Sequence, residues 1–216
     1  VIPNFIDLKR FRKQKKEHFK KAICPNDERL LIHTSNFRKV KRVEDVIKVF
    51  CRVRKKLPCK LLLVGDGPER RRMEDLCQDL GISEDVRFLG KLEAIEEVLS
   101  VSDLFIMPSE KESFGLAALE AMACEVPVLS SNVGGLPELN LQGVTGFLSK
   151  VGDIKDMTAK ALTVLADENL PVFKANALKR AKEFDSELVL PMYEAVYQKT
   201  LDNSRNKIAG EVPATE

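Results

Sequence analysis

Leu104-Phe105-Ile106-Met107-Pro108-Ser109-Glu110-Lys111-Glu112-Ser113-Phe114-Gly115-Leu116-Ala117-Ala118-Leu119-Glu120 is the stretch that decides the fold. Its first four residues are apolar on both faces of an extended chain, as in a strand covered on both sides. Pro108 ends it. Ser113 is a good helix N-cap, and Leu116, Ala117, Ala118 and Leu119 are strong helix formers. The stretch therefore reads as strand, loop and helix. The loop lies at the carboxyl end of a buried strand, where open α/β sheets take their ligands.

The same alternation runs outward in both directions. Arg29 to Ser35 reads as a first strand, and Val43 to Leu57 as a helix with Val43, Val46, Ile47 and Phe50 at helical spacing. Lys60 to Gly65 is a second strand, and a Gly65-Asp66-Gly67-Pro68 turn leads into a helix that ends at Gly81. Val86 to Gly90 is a third strand and Glu93 to Val101 a helix. After the central stretch come a strand at Pro127–Ser130, glycine turns at Gly134-Gly135 and Gly143, and a short strand at Gly146–Leu148. A helix capped by Asp153 follows, then helices near 170–184 and 186–201. This is an α/β chain with a Rossmann-like, doubly wound parallel sheet. We expect residues 1–28 to be a linker and entry segment, 29–201 a single Rossmann-like domain, and 202–216 a polar, frayed tail. No internal repeat is present.

Hydrophobic content of 44% and charged content of 31% place the chain among ordinary globular proteins. No apolar run is long enough to span a membrane, and no apolar leader opens the chain. It begins Val1-Ile2-Pro3-Asn4 without Met, which reads as a piece of something longer. Charge is lopsided: residues 1–60 carry 19 Lys and Arg against 6 Asp and Glu, and the remainder 16 against 27. The basic residues from Lys9 to Lys21 have few aromatics among them and no nucleic-acid-binding motif, so a solvated face or a bound small anion accounts for them better than nucleic acid. The five cysteines form no C-x-x-C pair, which suits free thiols in a reducing cytoplasm. His33, in a strand, reads as a packed residue rather than a catalyst.

Four loops should gather at one sheet edge. Ser35 to Arg42 presents Arg38, Lys39, Lys41 and Arg42, cations suited to a diphosphate. Gly65 and Gly67, after the second strand, allow close backbone approach, and Gly134-Gly135 follows the fifth strand. The Glu112–Glu120 segment combines a helix start, with free N–H groups and partial positive charge, with one carboxylate just before it and another about 9 Å along it, at 1.5 Å per residue. Glu pairs at this spacing usually belong to solvated faces, and each loop alone is a weak signal; four in this order are not. Two carboxylates flanking an anion site would hold a hydroxyl-rich group on either side of a diphosphate, which is the layout of a nucleotide-sugar. There is no P-loop and no G-x-G-x-x-G after the first strand.

Pro108-Ser109, Glu112-x7-Glu120 and Glu120-Ala121-Met122-Ala123 resemble the signature of the retaining glycosyltransferases of family 4. So do Val64-Gly65-Asp66-Gly67-Pro68, Val86-Arg87-Phe88-Leu89-Gly90 and Val133-Gly134-Gly135-Leu136-Pro137-Glu138. The resemblance covers about residues 1–200. It implies a GT-B protein of two Rossmann-like domains, of which this chain is the carboxy-terminal, donor-binding one. By the same resemblance Glu112 holds sugar hydroxyls and Glu120 the ribose. The N–H groups of Phe114, Gly115 and Leu116 face sugar and phosphates beside Ser113, and Arg38 and Lys41 neutralise the leaving diphosphate. Asn36, Gly65 and Gly67 belong to the donor site, and the loop from Phe88 to Lys91 lies near a uracil. Many members have a Gly-Arg pair where this chain has Asn36, which leaves Arg38 to supply that charge. Glu125 stands where Gly is usual. Ser35–Val43 and Ser109–Gly115 resemble a narrower group that transfers N-acetylglucosamine from UDP to L-malate in bacillithiol synthesis, without a metal. A missing amino-terminal domain would then bind the acceptor, and the last helix, with Leu188, Leu190, Met192 and Val196, would pack on it.

Transfer with retention needs charge stabilisation at the leaving diphosphate more than it needs a protein nucleophile. Glu112 could serve as a nucleophile, but hydroxyl binding fits it better. Four alternatives stay open: a UDP-sugar-binding module that does not itself catalyse, a family member acting on a lipid or polysaccharide acceptor, a phosphorylase or epimerase on the same fold, and, remotely, a nucleic-acid binder. Homo-oligomerisation is also open.

Overall fold

The computed structural model describes residues 2–210. Six strands form one parallel sheet: β1 (Arg29–Thr34), β2 (Cys59–Val64), β3 (Val86–Gly90), β4 (Leu104–Met107), β5 (Val128–Ser131) and β6 (Gly146–Ser149). Their spatial order is β3-β2-β1-β4-β5-β6, and every neighbouring pair is parallel. The doubly wound sheet expected from the alternation is therefore present, with its order reversing between β1 and β4. A crevice opens at such a reversal, because the two connections leave in opposite directions.

Successive side chains on each strand serve two cores. Leu30, Ile32, Leu62, Val64, Phe105 and Met107 enter one, with Ala118, Met122 and Ala177; Leu31, Leu61, Leu63, Leu104 and Ile106 enter the other, with Val46, Phe50 and Met157. That period of two, apolar on both faces, made the strands readable. The helices are α1 (Glu17–Ile23), α2 (Val43–Arg54), α3 (Arg70–Asp79), α4 (Ile95–Ser100), α5 (Leu116–Ala123), α6 (Leu136–Leu139), α7 (Ile154–Leu165), α8 (Leu170–Lys182) and α9 (Ser186–Gly210). Asp153 caps α7 as expected, its carboxylate accepting from the Asp156 N–H at 2.9 Å. The entry segment joins the first core through Ile6, Phe11, Ile23 and Cys24. Ile6 also bonds on both sides to the α8–α9 junction, with its N–H donating to the Phe184 carbonyl and its own carbonyl accepting from Ser186.

Three local expectations are corrected. Ser113 does not cap α5: the helix begins at Leu116, and Gly115 is its N-cap at φ 98°. The positive φ selects glycine there, and a Cβ would also lie 2.6 Å from Leu136 Cδ2, the end of a flexible side chain. The turn after Gly134-Gly135 contains α6, which was not anticipated. The segment read as a tail from 202 continues α9 to Gly210, while 211–216 lie outside the described residues.

Candidate functional site

Beneath the crevice lies a neutral histidine. His33 is fully buried on β1, stacked with Phe37 and Phe105 at 6.4 Å from each. The Ile106 carbonyl, 2.7 Å from Nδ1, can only accept, so Nδ1 carries the hydrogen. Nε2 then accepts from the Ser35 hydroxyl at 2.8 Å, and Ser35 Oγ accepts from the Phe37 N–H at 3.2 Å. Burial pushes the His33 pKa down to about 4, which keeps the ring uncharged. This chain of bonds ties the end of β1 to β4 and sets the course of the next loop.

The loops that follow are interlocked by glycines. A Cβ on Gly65 would sit 1.8 Å from the Ser35 carbonyl oxygen, and one on Gly67 2.0 Å from that of Asn36. Across the cleft, a Cβ on Gly134 would sit 1.7 Å from the Glu112 carbonyl oxygen, and one on Gly135 2.4 Å from that of Ser113. No other residue lets backbones approach so closely. The loop after β1 is thereby fused to the loop after β2, and the loop after β4 to the loop after β5.

Three contacts cross between these fused pairs. The Glu110 N–H donates to the Val40 carbonyl at 2.8 Å. Arg42, at φ 50°, donates to Glu110 at 2.7 Å while also holding Asp45 at 2.5 Å. Lys41 Nζ lies 2.7 Å from Glu112 Oε2, both side chains being mostly enclosed. Lys41 and Glu112 stand on the wall of a 330 Å³ hollow completed by Thr34, Ser35, Asn36, Met107, Leu116 and Ala117. It sits at the sheet's point of reversal, against the start of α5. The N–H groups of Phe114, Gly115, Leu116 and Ala117 have no acceptor among the described residues, and Leu116 and Ala117 line the hollow with Lys41, so the helix start offers free donors there. A second hollow of 530 Å³, lined by Glu110, Lys111, Glu112, Ser113, Val133 and Gly134, adjoins the first and shares Glu112 with it.

The structure thus brings Asn36, Lys41, Glu112 and Leu116 to one hollow and Ser113 to the hollow beside it, while Phe114 and Gly115 line neither. Phe114's ring is turned inward against Phe184, at 5.6 Å, and is buried. Gly65 and Gly67 act at one remove, by letting the two loops touch. Arg38 is not brought to Lys41: it lines a separate 240 Å³ hollow with Lys39, Arg42, Asp45, Glu69 and Arg72. The buried Phe37, at φ 37°, turns the chain so that position 38 faces away. Phe88 packs edge-on against Phe37 at 6.4 Å beneath Arg70, and Lys91 is exposed just after β3. Glu120 is the fifth residue of α5, about 6 Å from the helix start at 1.5 Å per residue, closer than a start at Ser113 would have placed it. Its carboxylate is half-buried with no hydrogen-bond or ion-pair partner among the described residues. Burial raises its pKa, Arg10 opposes this and Glu96 adds to it.

Sequence reasoning missed His33 with Ser35 as the strut under the cleft, and Gly134 and Gly135 as the interlock. The G-G pair itself was the available signal. Among the described residues no group of three or more His, Cys, Asp or Glu could hold a metal ion, and no helix is long and apolar enough to cross a membrane.

The six-stranded parallel sheet and its flanking helices match one half of the GT-B architecture. Sucrose-phosphate synthase from Thermosynechococcus elongatus superposes with a TM-score of 0.84 at 27% identity, covering 94% of this chain and 52% of its own. The Anabaena protein HepE, solved with UDP and glucose, superposes with a TM-score of 0.83 at 24% identity over 92% of this chain and 56% of its own. Residues 14–183 match the glycosyl transferases group 1 family, and the chain belongs to that family. It is 44% identical over 212 residues to the N-acetyl-alpha-D-glucosaminyl L-malate synthase of Bacillus anthracis, a match covering 95% of this chain and 55% of that protein. The chain spans about half the length of these relatives.

Proposed function

We propose that this chain is the donor-binding half of a retaining glycosyltransferase that moves N-acetylglucosamine from UDP-N-acetylglucosamine to L-malate, in the cytoplasm and within bacillithiol synthesis. The observation that carries the donor site is the enclosed Lys41–Glu112 pair set against four unpaired amides at the start of α5. The diphosphate takes the amides and Lys41, a fixed cation and oriented dipoles that meet charge as it develops on the leaving group. The reading asks for no metal, because these groups carry that charge. Glu112 accepts from sugar hydroxyls in the second hollow, Glu120 from the ribose, and Phe88 to Lys91 border the uracil. The choice of sugar and acceptor is supported by the likeness to the Bacillus anthracis synthase. The acceptor is held by the portion that the relatives carry beyond the matched stretch.

Lys41→Ala and Glu120→Ala each weaken UDP binding by about tenfold, since each removes one charged hydrogen-bonding partner. Isothermal calorimetry on this chain reads this directly, and unchanged affinity in both variants refutes the proposal. Because the chain spans half of its relatives, it binds UDP without turnover on its own; transfer to malate by this chain alone would contradict that division of labour.

A further inference from the structure

With its cleft empty, the protein has already paired its own two charges. Lys41 and Glu112 are 23% and 14% exposed, meet at 2.7 Å, and come from opposite sides of the crevice. An anion that takes Lys41 therefore competes with Glu112 for its charge. We infer that Glu112 is a specificity-determining residue that favours a diphosphate carrying a sugar over the bare nucleoside diphosphate. The inference rests on the donor-site reading above.

The argument is one of compensation. Glu112 is the residue common to both hollows, with Lys41 in the inner one and Ser113 and Gly134 in the outer one. When a phosphate draws Lys41 away, the carboxylate is left mostly enclosed beside a second negative charge. Arg42 is not free to replace the lysine, because it is held by Asp45 and Glu110, and Arg38 lines a different hollow. Lys111 is exposed on the outer wall. A sugar attached to the diphosphate enters the outer hollow and offers hydroxyl donors to the carboxylate, so the lost ion pair is replaced. A diphosphate without a sugar offers nothing in exchange and meets like charge, which costs affinity. The pair thus acts against the spent nucleotide more than against the donor.

The test is calorimetric titration of this chain with UDP and with UDP-N-acetylglucosamine, for the native protein, Glu112→Gln, Lys41→Ala and the double variant. Glu112→Gln is expected to bind UDP roughly three- to tenfold tighter, the scale of a partly enclosed ion pair, and the sugar nucleotide no tighter. In the Lys41→Ala background Glu112→Gln is expected to tighten UDP binding by a smaller factor, because only the like-charge repulsion remains to be relieved. Equal or weaker UDP binding by Glu112→Gln, with native binding of both ligands intact, overturns the inference alone. Failure of the native chain to bind either ligand overturns the donor-site reading and the inference with it. Melting curves accompany each variant. Should Glu112→Gln melt early, Glu112→Asp, which withdraws the carboxylate from Lys41, makes the same comparison.

Discussion

The interlock at Gly134 makes a quantitative prediction for Gly134→Ala. The backbone there has φ 54°, in the left-handed region that L side chains avoid at about 1–2 kcal/mol. The added methyl would lie 1.7 Å from the Glu112 carbonyl oxygen and 2.9 Å from its carbon. Since Cβ contacts essentially never fall below 3.0 Å, the two loops must part by at least about 1.3 Å. That movement strains the Gly135 N–H bond to Glu112, already 3.3 Å long, and displaces the loop that leads into the start of α5. Backbone strain and the loss of about one hydrogen bond together cost roughly 2–3 kcal/mol of stability. Urea unfolding should show a lowered midpoint at unchanged slope, and UDP calorimetry an affinity lowered by tenfold or more. A stability loss under 1 kcal/mol with native UDP affinity would refute the claim that backbone contact between these loops sets the cleft.

Other positions give independent tests. Glu125 sits at φ 63° in the turn after α5, so Glu125→Gly relieves left-handed strain and, after glycine's own entropic cost, gains up to about 1 kcal/mol in urea without altering UDP affinity. Asp103, buried on the sheet's opposite edge, holds Lys174 at 2.6 Å, Lys20 at 2.9 Å and the Leu30 N–H at 3.0 Å. Asp103→Ala strands these partners and should cost about 3–5 kcal/mol by urea unfolding. His33 titrates lower in the folded protein, about 4, than the ordinary 6.5. Between those values the unfolded chain holds more protons, so stability falls as pH drops through that window, by up to about 1.4 kcal/mol per unit, and is flat above it. Urea midpoints across pH 4–8 should show this slope in the native protein and lose it in His33→Gln.

The parallel sheet was legible because Leu61-Leu62-Leu63-Val64 and Leu104-Phe105-Ile106-Met107 are apolar on both faces, a local property tied directly to burial. Lys41, Glu112 and the amides after Ser113 were legible because spacing from a strand end fixes where a loop begins. What escaped depends on contacts remote in the chain. Ser113 has the chemistry of a cap, but the left-handed Gly115 two residues later takes the cap position, and the Ser113 carbonyl is packed against Gly135 of another loop. The four residues Leu136-Pro137-Glu138-Leu139 are too few to show periodicity. Arg38 is one of four clustered basic residues, and only the burial of Phe37 between His33 and Phe88 reveals that its side chain lines a different hollow.

The glycine interlocks also bear on how this cleft can diversify. Each fused pair of loops behaves as a jaw whose inner seam has no space for a side chain, so drift at positions 65, 67, 134 and 135 is closed off by neighbouring carbonyl oxygens. Variation is left to the rims, at Asn36, Lys39 and Lys111, which face solvent. New specificities would arise by re-dressing the lips of an unchanging clamp.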